Sequence, residues 1–307
     1  VLNRGFEMEN EEYDYAKLKE VGKVTYDALQ YGKGLVKTGA KISDICEKME
    51  EFARSKGMEP AFPVNVSVNQ NAAHYTAAIN DVSILNEKDV VKIDFGARSG
   101  NVLGDSALCV DLSGNYAKLV ETANEALEAA LSLVKAGVQV NTIGKEVEKI
   151  AAKKGFSPIK NLGGHGIEAE LLHASVFIPN FDNGDTTALE EGQVVAIETF
   201  ITTGVGYVVE NSNVQIFQKA GAANPRSEEA RKLAGAIDKS YLTYPFAVRW
   251  LAKELDSEFR IRKALNELNS LNVIESFPTL VEKTNGIVAQ AESEVIVEKD
   301  SCVVVTK

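Results

Sequence analysis

The 307-residue chain contains two stretches that echo each other. Leu35-Val36-Lys37-Thr38-Gly39, running through Ala53 to Lys56-Gly57, aligns with Leu133-Val134-Lys135-Ala136-Gly137, running through Ala151 to Lys154-Gly155, at a constant offset of 98 (133 − 35). Ile45/Ile143 and Glu50/Glu148 also match. Each copy reads as a helix ending at its glycine, then a second helix. Ser43 and Asn141-Thr142 are suited to open the second helices, and Gly57 and Gly155 to stop them. After each helix pair comes a second echo. Leu85-Asn86-Glu87-Lys88-Asp89-Val90-Val91-Lys92-Ile93-Asp94 matches Leu189-Glu190-Glu191-Gly192-Gln193-Val194-Val195-Ala196-Ile197-Glu198 at an offset of 104 (198 − 94). Each is a turn leading into a β-branched strand that ends on a carboxylate. Short helices can resemble one another by chance, but two matched segments in the same order favour duplication. The expectation is two similar halves about a pseudo-twofold axis, with Asp94 and Glu198 in equivalent places on either side of the seam.

VVKIDFGARSGNVLGDSALCVDL at 90–112 reads as a hairpin, with turn signals at Ser99-Gly100-Asn101. A tight turn centred between Ser99 and Gly100 puts Asp94 opposite Asp105, and a bulge would shift that register by one residue. Like charges facing each other destabilise a sheet. At about 4 Å and an effective dielectric near 20 the repulsion is roughly 4 kcal/mol. Protonating one partner or binding a cation relieves it, although a solvated surface hairpin also tolerates two aspartates.

The only histidines are His74, His165 and His173. His74 lies just before the Asp94 hairpin, His165 lies between glycines in Gly163-Gly164-His165-Gly166, and His173 follows closely. Glycine there permits close backbone approach or unusual dihedral angles. A lone histidine is more often structural than functional, but three beside acidic strands favour function. One histidine with several carboxylates makes an oxygen-rich donor set, suited to Mn(II), Fe(II) or Co(II) more than a thiolate-type zinc site is. Several carboxylates also suit two ions about 3.5–4 Å apart.

Composition narrows the class. With 45% hydrophobic and 25% charged residues the chain can bury a sizeable core. It has no apolar run near the roughly 18–20 residues of a membrane span, and its first residues lack the apolar core of a secretory signal. Cys46, Cys109 and Cys302, odd in number and far apart, suit reduced thiols packed in a cytoplasmic protein. A net charge of −11 opposes stable, non-specific nucleic-acid binding.

PVNVSVNQNAAHY at 63–75, IDFGARSGNVLGD at 93–105, NLGGHGI at 161–167, AIETF at 196–200 and VAQAE at 288–292 together resemble the methionine aminopeptidases of pita-bread fold. The resemblance covers nearly the whole chain in order. It implies an α+β, creatinase/aminopeptidase-type fold and a hydrolase that removes methionine from the N-termini of nascent proteins and peptides, with a small residue preferred second. It implies two divalent ions (Co, Mn, Fe, Ni or Zn). Asp94 would hold one ion, His165 and Glu198 the other, and Asp105 and Glu292 would bridge. His74 would contact substrate near the methionine or the leaving amine. His173 would polarise the scissile carbonyl, and Glu198 would shuttle a proton. Phe62, Leu172 and Phe277 fall where the family lines its methionine pocket, though each also suits a simple core.

Glu198 and Glu292 are 94 positions apart (292 − 198), and between them, after Gly221-Ala222-Ala223-Asn224-Pro225, lies a largely helical stretch. This resembles the type 2 subfamily, archaeal-like for its short N-terminus. The expected division is a catalytic domain at 1–220 and 281–307, with an inserted, winged-helix-like helical subdomain at 221–280. Arg260, Arg262 and Lys263 make a nucleic-acid or ribosome-binding insert the rival from another class; an X-Pro peptidase of the same fold is the enzymatic rival. The resemblance suggests a cytoplasmic monomer, transiently near ribosomes, with no membrane or stable nucleic-acid partner. One departure stands out. The last ligand strand usually reads Glu-His-Thr in this subfamily, whereas here it is Glu292-Ser293-Glu294, and strand alternation places Glu294 on the face of Glu292.

Overall fold

A computed structural model describes residues 14–307. The first residues, where the reading of a missing secretory signal falls, lie outside the described residues. In the first half α1 (Tyr15–Leu35) and α2 (Ile42–Ser55) precede β1 (Glu59–Pro60), β2 (Asn65–Val68), β3 (Asn71–Ala73) and β4 (Val90–Phe95). Next come β5 (Ala97–Ser99), β6 (Val102–Leu103) and β7 (Ser106–Asp111). The second half repeats the plan with α3 (Ala117–Leu133), α4 (Val140–Lys154), β8 (Ser157–Pro158), β9 (Gly163–Glu168), β10 (Leu171–Pro179) and β11 (Val194–Thr202). The remaining elements are β12 (Val208–Lys219), α5 (Glu228–Ser240), β13 (Phe246–Ala247), α6 (Glu258–Ser270), β14 (Ile274–Glu282), β15 (Val288–Val297) and β16 (Cys302–Val304).

The duplication extends to single hydrogen bonds. Gly39 N–H donates to Leu85 O and Gly137 N–H to Leu189 O, each at 2.8 Å. Ile42 N–H to Ser83 O (3.0 Å) has its twin in Val140 N–H to Thr187 O (2.9 Å). All keep the 98 and 104 offsets of the sequence. The same pairs explain why Ser43 and Asn141 are not the helix caps. The flanking residues are Lys41 and Gln139, neither with a capping side chain. Each instead forms a β-bridge, Lys41 to Ile84 and Gln139 to Ala188, so the turn preceding the strand holds the helix start. Gly57 and Gly155 stop the helices as expected, with φ of 77° and 86°.

The main sheet, nine-stranded among the described residues, runs β10-β9-β11-β15-β7-β4-β2, with β16 added to β15 and β8 to β11. The pseudo-twofold passes between β15 and β7. One face of the sheet carries the helices. Val91, Ile93 and Phe95 pack on α1 and α2 in one core, and Val195, Ile197 and Ala291 pack on α3 and α4 in a second. Residues of the opposite parity therefore face the other side.

The hairpin register differs from the sequence expectation. Asp94 pairs with Ala107, not Asp105, because the turn centres between Gly100 and Asn101. The hairpin also breaks between β4 and β5, where a Cβ on Gly96 would meet Gly104 O at 1.9 Å. A two-residue shift preserves side-chain parity, so Asp105 still shares the face of Asp94.

Residues 221–280 contain α5 and α6, which enclose a third core that includes Leu233, Ile237, Ile261, Leu265 and Leu268. The helices pack on a four-stranded sheet, β13-β12-β14-β3. The stretch FPTLVEKTNGIVAQ forms most of β14, a turn, and the start of β15. Its first strand pairs with β12 and β3, and its second enters the main sheet. Arg249, in a 3-10 turn at Val248–Leu251, forms a buried ion pair with Glu50 of α2, and Trp250 Nε1–H donates to Glu50 at 2.9 Å. No helix among the described residues is long and apolar enough to cross a membrane.

Candidate active site and metal centre

Two rows of residues cross the open face of the main sheet. In the first, Glu198 pairs with Glu292, Glu292 with Ala107, Ala107 with Asp94, and Asp94 with Asn65. In the second, His165 pairs with Ala196 and Ala196 with Glu294, whose carboxylate accepts the N–H of Asp105 at 3.2 Å. Each row has one alanine between its polar side chains. Ala107 and Ala196 leave the room into which the longer groups converge.

Convergence is tight. Ligand-capable atoms of Asp94, Glu198 and Glu292 lie within 4.8 Å of one another, and so do those of Asp105, His165 and Glu292. Glu292 belongs to both groups. Glu198 groups with Asp94 here, whereas the resemblance implies that it shares an ion with His165. Gln290 lies between Glu198 and Asp94, its Nε2 donating to Glu198 Oε1 at 2.7 Å and lying 3.4 Å from Asp94 Oδ2. Gln290 was not among the residues singled out from the sequence, although its place two positions before Glu292 fixes it to the same face.

The donor set fits cations. Burial, reinforced by neighbouring carboxylates, raises Asp94, Glu198 and Glu292 well above the usual carboxylate range. Burial, with Asp105 adding to it, does the same for Glu294. Asp94 Oδ1 is buried with no hydrogen-bond partner among the described residues. His165 Nδ1 lies 3.1 Å from Gly166 O, which can only accept, so in the neutral ring Nδ1 carries the proton. Its Nε2 lone pair then faces Asp105 Oδ2 at 3.4 Å. Two acceptors aimed at each other suit a cation between them. Gly164 lets β9 come this close: a Cβ there would meet Ala196 O at 2.2 Å. Among the alternatives left by the sequence, close approach is therefore the reason for glycine.

All ten side chains singled out in the sequence line one cavity of about 330 Å³. Much of its lining is apolar, with Phe62, Leu172 and Phe277 joined by Ile216, Phe177 and Pro245, of which Phe277 and Pro245 come from the inserted segment. The His165 and His173 rings meet edge to face at 4.5 Å, and His74 meets Phe277 edge to face at 5.6 Å. Burial lowers His74 to about 4. Burial, with His165 and His74 adding to it, lowers His173 to about 3. Both rings are therefore neutral at pH 7. His74 has φ 62°, a strained value for a residue with a Cβ, and its Nδ1 is buried without a partner among the described residues.

Residues 16–219 match the model of metallopeptidase family M24. A methionine aminopeptidase of Pyrococcus horikoshii is 41% identical over 295 residues, covering 96% of this chain and 100% of that one. Two solved structures share the fold at low identity. A methionine aminopeptidase of Rickettsia prowazekii superposes with a TM-score of 0.70 at 19% identity, covering 96% of this chain and 97% of its own. A thermophilic Arx1 superposes with a TM-score of 0.81 at 17% identity, covering 94% and 90%. With that match spanning most of the chain and an aminopeptidase relative aligned over nearly all of it, the chain belongs to metallopeptidase family M24 and, within it, to the methionine aminopeptidases.

Proposed function

We propose that this chain removes the N-terminal methionine from proteins and peptides by hydrolysing the first peptide bond, with a small second residue preferred. The observation that carries this reading is the pair of ligand groups sharing Glu292 in a cavity that also has a large apolar lining. Asp94, Asp105, His165, Glu198 and Glu292 would hold two divalent ions, drawn from Co, Mn, Fe, Ni and Zn. When bound, these ions supply Lewis-acid polarisation of the scissile carbonyl and of a water molecule.

The remaining work falls to side chains. Glu198 takes a proton from the attacking water and passes it to the leaving amine nitrogen. Neutral His173 donates a hydrogen bond to the carbonyl oxygen as charge develops there. His74 contacts the substrate beside the scissile bond. Phe62, Leu172 and Phe277 hold the methionine side chain and exclude water. Burying that side chain contributes about 1.5–3 kcal/mol, and one methylene discriminates only about 10–200-fold. Selectivity therefore rests on the shape of the wall as well as its area.

The metal ligands are assigned to 1–220 and 281–307, and the closing of the cavity wall by Pro245 and Phe277 to the insert at 221–280. The three free cysteines support a cytoplasmic protein, the net charge of −11 opposes stable nucleic-acid binding, and the family supports a monomer that meets nascent chains near the ribosome. The test uses chelator-stripped protein supplied with Co(II) or Mn(II) and offered Met-Ala-Ser and Ala-Pro-Ala. Metal-dependent release of free methionine supports the reading. Cleavage of the proline peptide alone assigns the chain to the X-Pro branch. No turnover of either, despite bound metal, favours a binding role for the insert.

A further inference from the structure

Glu294 sits one step behind the ligand groups, in the row His165, Ala196, Glu294. It is 0% exposed. One carboxylate oxygen accepts the Asp105 N–H at 3.2 Å, and the other is buried with no hydrogen-bond partner among the described residues. Its charged neighbour is another acid, Asp105. The Thr306 hydroxyl, which accepts the Glu294 N–H at 3.0 Å, and the Val305 N–H, which donates to Glu294 O at 2.9 Å, fix the main chain so that the side chain has no route to solvent.

A fully buried side chain that holds the main chain of a neighbouring residue fixes where that residue points. The residue held here is Asp105, a member of the ligand groups. We propose that Glu294 is a positioning residue for the metal centre, its carboxyl oxygen holding the Asp105 main chain so that the Asp105 side chain is set for divalent cations. The inference rests on the metal-centre reading given above. A group that acts through Asp105 and touches no ion itself affects hard and soft ions alike.

The test compares wild type, Glu292→Ala, Glu294→Gln and Glu294→Thr, each stripped with chelator and titrated calorimetrically with MnCl2 and with ZnCl2. Circular dichroism follows the fold, and the metal-free melting midpoint provides the second readout. Glu294→Gln keeps an acceptor for Asp105, whereas the shorter side chain of Glu294→Thr removes it. The expected result is affinity weakened about 10–100-fold for both ions in Glu294→Thr, with Glu294→Gln restoring most of it. An equal loss in both variants overturns the role of the acceptor oxygen. Affinity within twofold of wild type in both variants overturns the proposal, as does a lowered midpoint with unchanged affinity. Loss of binding in Glu292→Ala alone overturns this proposal but leaves the metal centre standing. A wild type that binds neither ion, like Glu292→Ala, overturns both.

Discussion

Glu198 and Glu292 stand directly opposite each other across β11 and β15, two carboxylates where a sheet ordinarily avoids like charge. Burial and the surrounding acids raise both. The arrangement sacrifices stability of the metal-free protein for a strong cation field. Glu198→Gln is expected to raise the melting midpoint of the chelated protein by about 2–4 °C, corresponding to roughly 1 kcal/mol. Turnover is expected to fall on the order of 10²–10⁴-fold through loss of the proton carrier. Scanning calorimetry with chelator, beside a peptide assay with Mn(II), measures both. A lower chelated midpoint would mean that the two acids are not in conflict.

Phe277 reaches the cavity from β14 and meets both His74 and His173. Phe277→Ala is expected to lower kcat/KM for Met-Ala-Ser about 10–100-fold, from the loss of about 1.5–3 kcal/mol of apolar burial. Metal stoichiometry is expected to stay at the wild-type value. Steady-state kinetics with calorimetric metal counting separates a pocket residue from a core residue, since the latter would reduce both.

His74 combines a left-handed backbone with a buried ring. Asparagine tolerates that backbone better than most residues. His74→Asn is therefore expected to keep its denaturant midpoint close to wild type while losing activity. Equal losses of stability and activity would assign His74 to the scaffold.

Glu282 accepts from Val205 N–H (2.8 Å), Gly206 N–H (3.3 Å), Thr284 N–H (2.7 Å), Thr284 Oγ1–H (2.8 Å) and Gly286 N–H (2.9 Å). Burial alone would raise its carboxyl, but the donors led by Gly286 and Thr284 outweigh that and hold it below the usual range. A depressed folded-state value means stability that is present above the unfolded value of about 4.3 and lost as pH falls through the folded one. Glu282→Gln is expected to be about 2–3 kcal/mol less stable at pH 7, with the deficit shrinking below about pH 4. Urea unfolding of both proteins at pH 7 and pH 3.5 checks the sign. An equal deficit at both values would remove the charge from the explanation.

Arg249 pairs with Glu50 where both side chains are nearly inaccessible, 7% and 3% exposed. Removing one partner strands the other, so Arg249→Met is expected to cost about 3–5 kcal/mol, and a Glu50→Gln/Arg249→Met double variant to recover part of it. A double-mutant cycle by denaturant unfolding reads the coupling directly.

The duplicated halves were legible because the same residue types recur at fixed offsets, and those offsets hold down to Gly39 with Leu85 and Gly137 with Leu189. The start of α2 was not legible from Ser43, because a bridge between Lys41 and Ile84 does the work that capping chemistry ordinarily does. The Asp94 hairpin was placed two residues out of register, since Ser99-Gly100-Asn101 does not say whether the turn centres before or after Gly100. Residue types told which acids and histidines gather at one cavity. They gave no sign of the Gln290 amide that lies between Glu198 and Asp94.

β15 lies between β11 and β7 and brings Glu292 to the midline. In the sheet order of the described residues the two halves meet through this strand, which is made after both of its neighbours. A chain stopped before residue 288 would have two open sheet edges facing each other and no shared carboxylate. The order of synthesis thus acts as a timer, withholding the shared carboxylate until both halves that flank it have been made.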